Sequence, residues 1–227
     1  MTKSRARKAA NKGAGQISKR AKGVWLALVA AMTGVGGLLL MVDGRPASRG
    51  DGIALPPLVS TGAPNSVESI IDTRKGVAID RARWKSIVIH HSGSVSGSPS
   101  TIEQEHLKQR FKGLGHHFVI GNGRGMEDGE VHVGYRWLDQ LPGAHAGGSQ
   151  GPWFNNHAIS ICLVGDGERQ AFSKAQLARL DQLVAALSAE LKIAPDQVVL
   201  HSSIAQTTDP GRLFPEAWLR EQLRSAR

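Results

Sequence analysis

Residues 86–91 read Ser-Ile-Val-Ile-His-His, and residues 198–201 read Val-Val-Leu-His. Both are short, apolar and β-branched, the pattern of buried strands. Each ends in a histidine, His90 and His201, so two strands can each deliver an imidazole to one rim of a sheet. Outward from these runs the pattern alternates. Ser100-Thr101-Ile102-Glu103 reads as a capping box that opens a helix to about Phe111. His117–Gly121 and Glu130–Val133 read as strands, the second behind the turn pair Asp128-Gly129. Ala158–Val164 reads as a central strand. Ser173–Gln176 caps a long helix whose Leu177, Leu180, Leu183, Val184, Leu187 and Leu191 keep the helical period. Pro195 is the expected stop, and Trp218 and Leu219 fall in a last short helix. Strands mixed with helices predict an α/β fold with a single mixed β-sheet flanked by helices.

The charge is uneven. The net charge is +9, yet residues 1–23 hold eight basic residues and no acid, leaving 20 basic against 19 acidic residues elsewhere. The basicity belongs to a tail, which removes most of the support for nucleic acid as a partner of the domain. Residues 24–42 are nineteen residues without a charge, close to the roughly 20 needed to cross a bilayer. With the basic block before it, this segment reads as a transmembrane anchor with a cytoplasmic tail at 1–23. The rival reading is a cleaved signal peptide, although its apolar core would be long for one and no convincing small-x-small site follows Val42 before Gly44-Arg45-Pro46. Residues 43–80, with Pro46, Pro56, Pro57 and Pro64, read as a flexible linker, and 81–227 as one folded domain. A single cysteine, Cys162, excludes an internal disulfide and reads as a buried strand residue.

All nine histidines fall between His90 and His201. Asp209 follows His201 by eight residues, in Thr207-Thr208-Asp209-Pro210-Gly211. The intervening loop can fold back and bring a carboxylate to the two imidazoles. Two nitrogens and one oxygen, with a fourth position for water, are the ligand count of a catalytic zinc site. Any one of these histidines taken singly also fits a core or surface position.

Five segments in order then resemble a known family. They are Ile87–Ser92, Gly115–Ile120, Gly143–Ala146, Asn156–Gly165, and His201 with Thr207–Gly211. Together they are similar to the zinc-dependent N-acetylmuramoyl-L-alanine amidases, a superfamily shared with peptidoglycan recognition proteins, over residues 81–222. The resemblance implies a Zn2+ site of His90, His201 and Asp209, and a Thr207 hydroxyl that helps to stabilise the oxyanion. Before the second strand the family carries Tyr or Glu, where this chain has His116; the position implies a general base. His145 matches a histidine lining the substrate groove, and Asn156 falls near a peptide-contacting stretch. Trp137 and Trp153 are either groove walls or packing aromatics. The implied activity is hydrolysis of the amide between N-acetylmuramic acid and L-alanine in peptidoglycan or muropeptides, during wall remodelling or turnover. The apolar segment and basic tail, for their part, place the chain in the cell membrane, single-pass, with the domain facing the periplasm or exterior. The alternative is a membrane-held module that binds peptidoglycan without cutting it.

Overall fold

The computed structural model describes residues 53–55, 71 and 77–225. The segments read as tail (1–23) and anchor (24–42), and most of the 43–80 stretch, lie outside the described residues. Among the described residues no helix is long and apolar enough to cross a membrane.

The strands are β1 (Ile53–Leu55), β2 (Ser86–His91), β3 (Phe118–Ile120), β4 (Val131–Val133), β5 (Ala158–Leu163) and β6 (Val198–Leu200). The helices are α1 (Pro99–Lys108), α2 (Tyr135–Leu138), α3 (Gly151–His157), α4 (Lys174–Leu191) and α5 (Glu216–Ser225). The strands form one sheet in the order β1-β4-β3-β5-β2-β6. Strand β2 runs parallel to both β5 and β6, β3 runs parallel to β5, and β4 is antiparallel to β3 and β1. The sheet is therefore mixed, and β5 lies inside it. Strand β1 comes from the stretch read as linker, and Ile71 and Ile79 of that stretch are buried in the main core.

Side-chain alternation along the strands separates two chemistries. Ile87, Ile89, Ile159, Ile161, Leu163, Phe118 and Ile120 pack with Leu180, Leu183, Val184 and Leu187 of α4 and with Leu219 and Leu223 of α5. Burying each such side chain contributes about 1.5–3 kcal/mol before the entropy of ordering is counted. The interleaved residues Val119 and Cys162 join a smaller cluster with Ile102, Leu114, Met126 and Val164. Register sets His90 beside Cys162 and Val88 beside Ser160, so the polar residues of the central strands share this second face.

Helix α4 starts as its sequence predicts. The Ser173 side chain accepts from Gln176 N–H, and the Gln176 side chain accepts in return from Ser173 N–H. It ends at Leu191, where Lys192 takes the left-handed conformation at φ 56°. Pro195 instead opens a short 3-10 turn, Pro195–Gln197. Helix α1 starts two residues before the expected cap. Ser98 caps it with Thr101 in the reciprocal role, and Pro99 occupies the first turn, where its fixed φ suits a helix start. Glu103 is buried instead of completing a capping box.

Candidate metal centre

Strands β2 and β6 are parallel neighbours with Ile89 opposite Leu200. The residue after each, His90 and His201, therefore emerges at the same rim. Their ring centroids lie 4.4 Å apart. After the 3-10 turn His201–Ser203 the chain folds back, and Ser202 N–H donates to the Asp209 carbonyl at 2.8 Å. The Asp209 carboxylate then meets both imidazoles. Its Oδ2 lies 3.0 Å from His90 Nδ1 and 2.8 Å from His201 Nδ1. Its Oδ1 accepts the His91 backbone N–H at 2.6 Å.

Burial alone would raise the Asp209 pKa. The adjacent His90 and the hydrogen bonds from His201 and His90 outweigh it and hold the carboxyl below its ordinary range. His90 is also shifted down: burial lowers its pKa more than Asp209 raises it. The contact is thus a hydrogen bond from a neutral imidazole to a carboxylate, not an ion pair. One oxygen and two nitrogens, all within 4.8 Å of one another, form a ready ligand set. Zinc bonds of about 2.0–2.2 Å at tetrahedral angles place ligand atoms about 3.3 Å apart, close to what is found. His201 Nε2 is buried without a hydrogen-bond partner, so the ring is held mainly through Nδ1. The donor set and its spacing fit Zn2+.

The Asp209 loop is fastened through the Gly167 backbone. Leu213 N–H donates to the Gly167 carbonyl at 2.9 Å, and Gly167 N–H donates to His91 Nδ1 at 3.0 Å. A Cβ on Gly167 would lie 1.9 Å from the Pro210 oxygen, so only glycine permits this approach.

His116 stands beside this centre, its ring centroid 5.0 Å from that of His90. Its Nδ1 is 2.9 Å from Ser160 Oγ. Burial, then the His90, His106 and His145 rings, push its pKa well down, so it is neutral at pH 7. A cleft of about 280 Å³ opens here, lined by Ser92, Thr101, Gln104, Glu105, His106 and His116 among others. His106 also accepts Gly115 N–H at 2.9 Å and so supports the turn into His116. Thr207 is exposed, and its hydroxyl accepts Asp209 N–H at 3.2 Å. That contact leaves the hydroxyl proton free to donate elsewhere.

The remaining sequence candidates lie apart from the cleft. His145 is buried behind His90, with Nδ1 3.1 Å from His90 Nε2. Trp137, a candidate groove wall, is instead fully buried in the main core against Phe118. Asn156 is exposed and donates to the Pro152 carbonyl within α3. Its neighbour Asn155 reaches the His145 loop instead. Asn155 Oδ1 accepts from His145 and Ala146 N–H, and its Nδ2 donates to the Ala146 carbonyl. Trp153 is exposed on the same short helix.

His117 and Ser160 carry structure that the sequence reading does not assign. His117 Nδ1 accepts Ser160 N–H at 3.0 Å, and its Nε2–H donates to the Leu141 carbonyl at 3.1 Å. Burial pushes its pKa down to about 3, so the ring stays neutral and its tautomer is fixed. A histidine flanking a strand start, paired in register with a serine among isoleucines, is the only signal the sequence offers for this lock.

The sequence profile of the N-acetylmuramoyl-L-alanine amidase family matches residues 80–212. No curated protein matches the chain. Among solved structures the chain is similar to the endolysin N-acetylmuramoyl-L-alanine amidase LysCS from Clostridium intestinale URNW. The identity is 24%, the TM-score 0.55, and the match covers 65% of this chain and 89% of that one. The N-acetylmuramoyl-L-alanine amidase LysC from the same organism matches equally, at 24% identity and TM-score 0.55, over 65% of this chain and 91% of its own. Drosophila peptidoglycan recognition protein SA follows at 23% identity and TM-score 0.49, over 60% of this chain and 77% of its own. At these identities the likeness is one of fold.

Proposed function

The chain belongs to the N-acetylmuramoyl-L-alanine amidase family, and from this premise we propose that it is a zinc-dependent amidase of peptidoglycan. Its bond is the amide between N-acetylmuramic acid and L-alanine. The observation that carries the reading is the convergence of His90 Nδ1, His201 Nδ1 and Asp209 Oδ2 beside a polar cleft.

His90, His201 and Asp209 would hold Zn2+, which would supply Lewis-acid polarisation of a carbonyl and a water nucleophile at neutral pH. The other roles fall to side chains. With Nδ1–H donated to Ser160 Oγ, His116 keeps a lone pair on Nε2 and accepts the attacking water's proton. Its depressed proton affinity favours passing that proton to the departing L-alanine nitrogen. Thr207 directs its free hydroxyl proton at the developing oxyanion. Asp209 stays ionised throughout, because its neighbours keep it so. We further propose that residues 24–42 anchor the chain in the cell membrane and hold the domain on the periplasmic or exterior side, where the wall is built. Peptidoglycan or muropeptide is then the partner, and nucleic acid is not.

The test uses the full chain on purified peptidoglycan, with new L-alanine amino groups as the readout. Release that a zinc chelator stops and Zn2+ restores is expected. His116→Ala should lower turnover by about 10²–10⁴ while zinc content is unchanged. Zinc-loaded protein that binds peptidoglycan and frees no L-alanine amino groups refutes the amidase and leaves the binding module.

A further inference from the structure

We propose that His145 is a positioning residue, which fixes the orientation of the His90 ring in either tautomer through the His90 Nε2 to His145 Nδ1 hydrogen bond and is itself held by Asn155. The inference rests on the reading of His90 as a metal ligand.

The geometry is specific. The two rings meet edge to face, with centroids 4.9 Å apart and planes at 78°, and the nitrogens are 3.1 Å apart. Both residues are buried, so no water competes for the contact. The loop that carries His145 is built around it. Gly143 N–H donates to the Asn155 carbonyl at 2.7 Å, and the Asn155 side chain binds His145 N–H, Ala146 N–H and the Ala146 carbonyl. A Cβ at Gly143 would lie 2.3 Å from His145 Cδ2, so the glycine leaves room for the ring. Three of the four hydrogen bonds that anchor residues 143–146 to α3 come from one asparagine side chain.

The choice of a second imidazole has a chemical reason. Without a cation, the Asp209 carboxylate has no proton to give, so His90 must offer Nδ1–H to it. His90 Nε2 is then an acceptor, and His145 must donate from Nδ1. A cation held at the His90 Nδ1 lone pair would leave the single proton of that ring on Nε2, and the contact would reverse. His145 Nδ1 would then accept, with its own proton on Nε2. That atom is buried. Each ring keeps one proton in both states. A carbonyl or carboxylate partner would satisfy only the second state, and a backbone N–H only the first.

The experiment compares the full chain with His145→Ala, His145→Asn and Asn155→Ala. Asparagine keeps a group at the δ position that can either donate or accept. The readouts are Zn2+ affinity by chelator competition and the visible absorption spectrum of the Co2+-loaded protein. His145→Ala should bind zinc about 10–100-fold more weakly and show a shifted Co2+ spectrum, as loss of an outer-shell partner does. His145→Asn should recover most of the affinity, and Asn155→Ala should lose part of it. If His145→Ala does not fold, His145→Leu, which keeps volume and removes both nitrogens, takes its place. Equal affinity in the wild type and the apolar variant overturns the inference. So does an Asn variant as weak as the apolar one, which would make ring volume the operative quantity. A wild type that takes up no zinc at all instead overturns the metal reading, and this inference with it.

Discussion

Replacing Gly167 with alanine should cost the protein its metal before it costs the protein its fold. The new Cβ would sit 1.9 Å from the Pro210 oxygen and 3.0 Å from the Pro210 carbonyl carbon. Relief to an ordinary van der Waals contact needs about 1.5 Å of separation. The atoms struck are backbone, so no side-chain rotation relieves the clash. Pro210 is bonded directly to Asp209, whose oxygen lies 3.0 and 2.8 Å from the two histidine nitrogens. Metal sites hold their ligand distances to about ±0.2 Å, so even a fifth of the required shift, passed on to Asp209, exceeds the tolerance. Zinc affinity should fall by at least about tenfold. The overpacking should also cost about 1–3 kcal/mol of stability. The assay is chelator competition for Zn2+ beside thermal melting of the zinc-free protein. Gly147→Ala serves as control, because a Cβ there meets nothing within 4 Å. A Gly167→Ala protein that melts earlier yet holds zinc as tightly as wild type would show that the turn does not set the carboxylate's position.

Acid should destabilise the zinc-free domain well above the carboxylate range. His117 has a folded pKa of about 3 against an ordinary 6.5, so between these values the unfolded chain holds a proton that the native state refuses. Its contribution is complete above pH 6.5 and declines as pH falls, by about 2 kcal/mol from pH 7 to pH 5. His90, His106, His116 and His145 are shifted in the same direction and steepen the decline. Urea midpoints at the two pH values measure it. His117→Asn, which retains an acceptor for Ser160 N–H, should flatten the dependence, and a wild type equally stable at pH 5 would contradict the assignment. Zinc at about 100 times its Kd should stabilise the wild type by about 2.7 kcal/mol and Asp209→Ala not at all, read as melting temperature with and without the metal. The Asp209→Ala protein should also melt lower without zinc, because three donors (His90, His201 and the His91 amide) lose their acceptor.

Local order was legible where local physics decides it. The apolar run into His90 and the capping box at Ser173 each state their structure within a few residues, and both strands and helix follow. The convergence of His90 with His201 is readable because parallel strands ending in histidine must present them at one rim. Contacts made by distant segments are not readable in this way. Strand β1 lies in a stretch of glycine and proline, and only its pairing with β4 makes it a strand. Trp137 and His145 follow sequence patterns that suit either a groove or a core, and their burial is set by which segments close over them. The resemblance places Asn156 near a peptide-contacting stretch, while the loop anchor is Asn155, one step along the helix and about 100° of rotation away, which an approximate register does not resolve. Gly167 gives no sign of its role, since the backbone it meets lies more than forty residues further on.

Strand β4 is hemmed by residues from well upstream: Ile53–Leu55 pair with Val131–Val133 along the sheet's outer side. At the opposite side, Arg220 reaches over to the Val198 carbonyl. A polypeptide trimmed to start at Arg81 would retain every candidate zinc ligand and still bare a row of amide and carbonyl groups on β4. Such a row is an invitation to pair with another copy. Clumping in a shortened preparation would then speak of a missing border, not of a faulty catalyst.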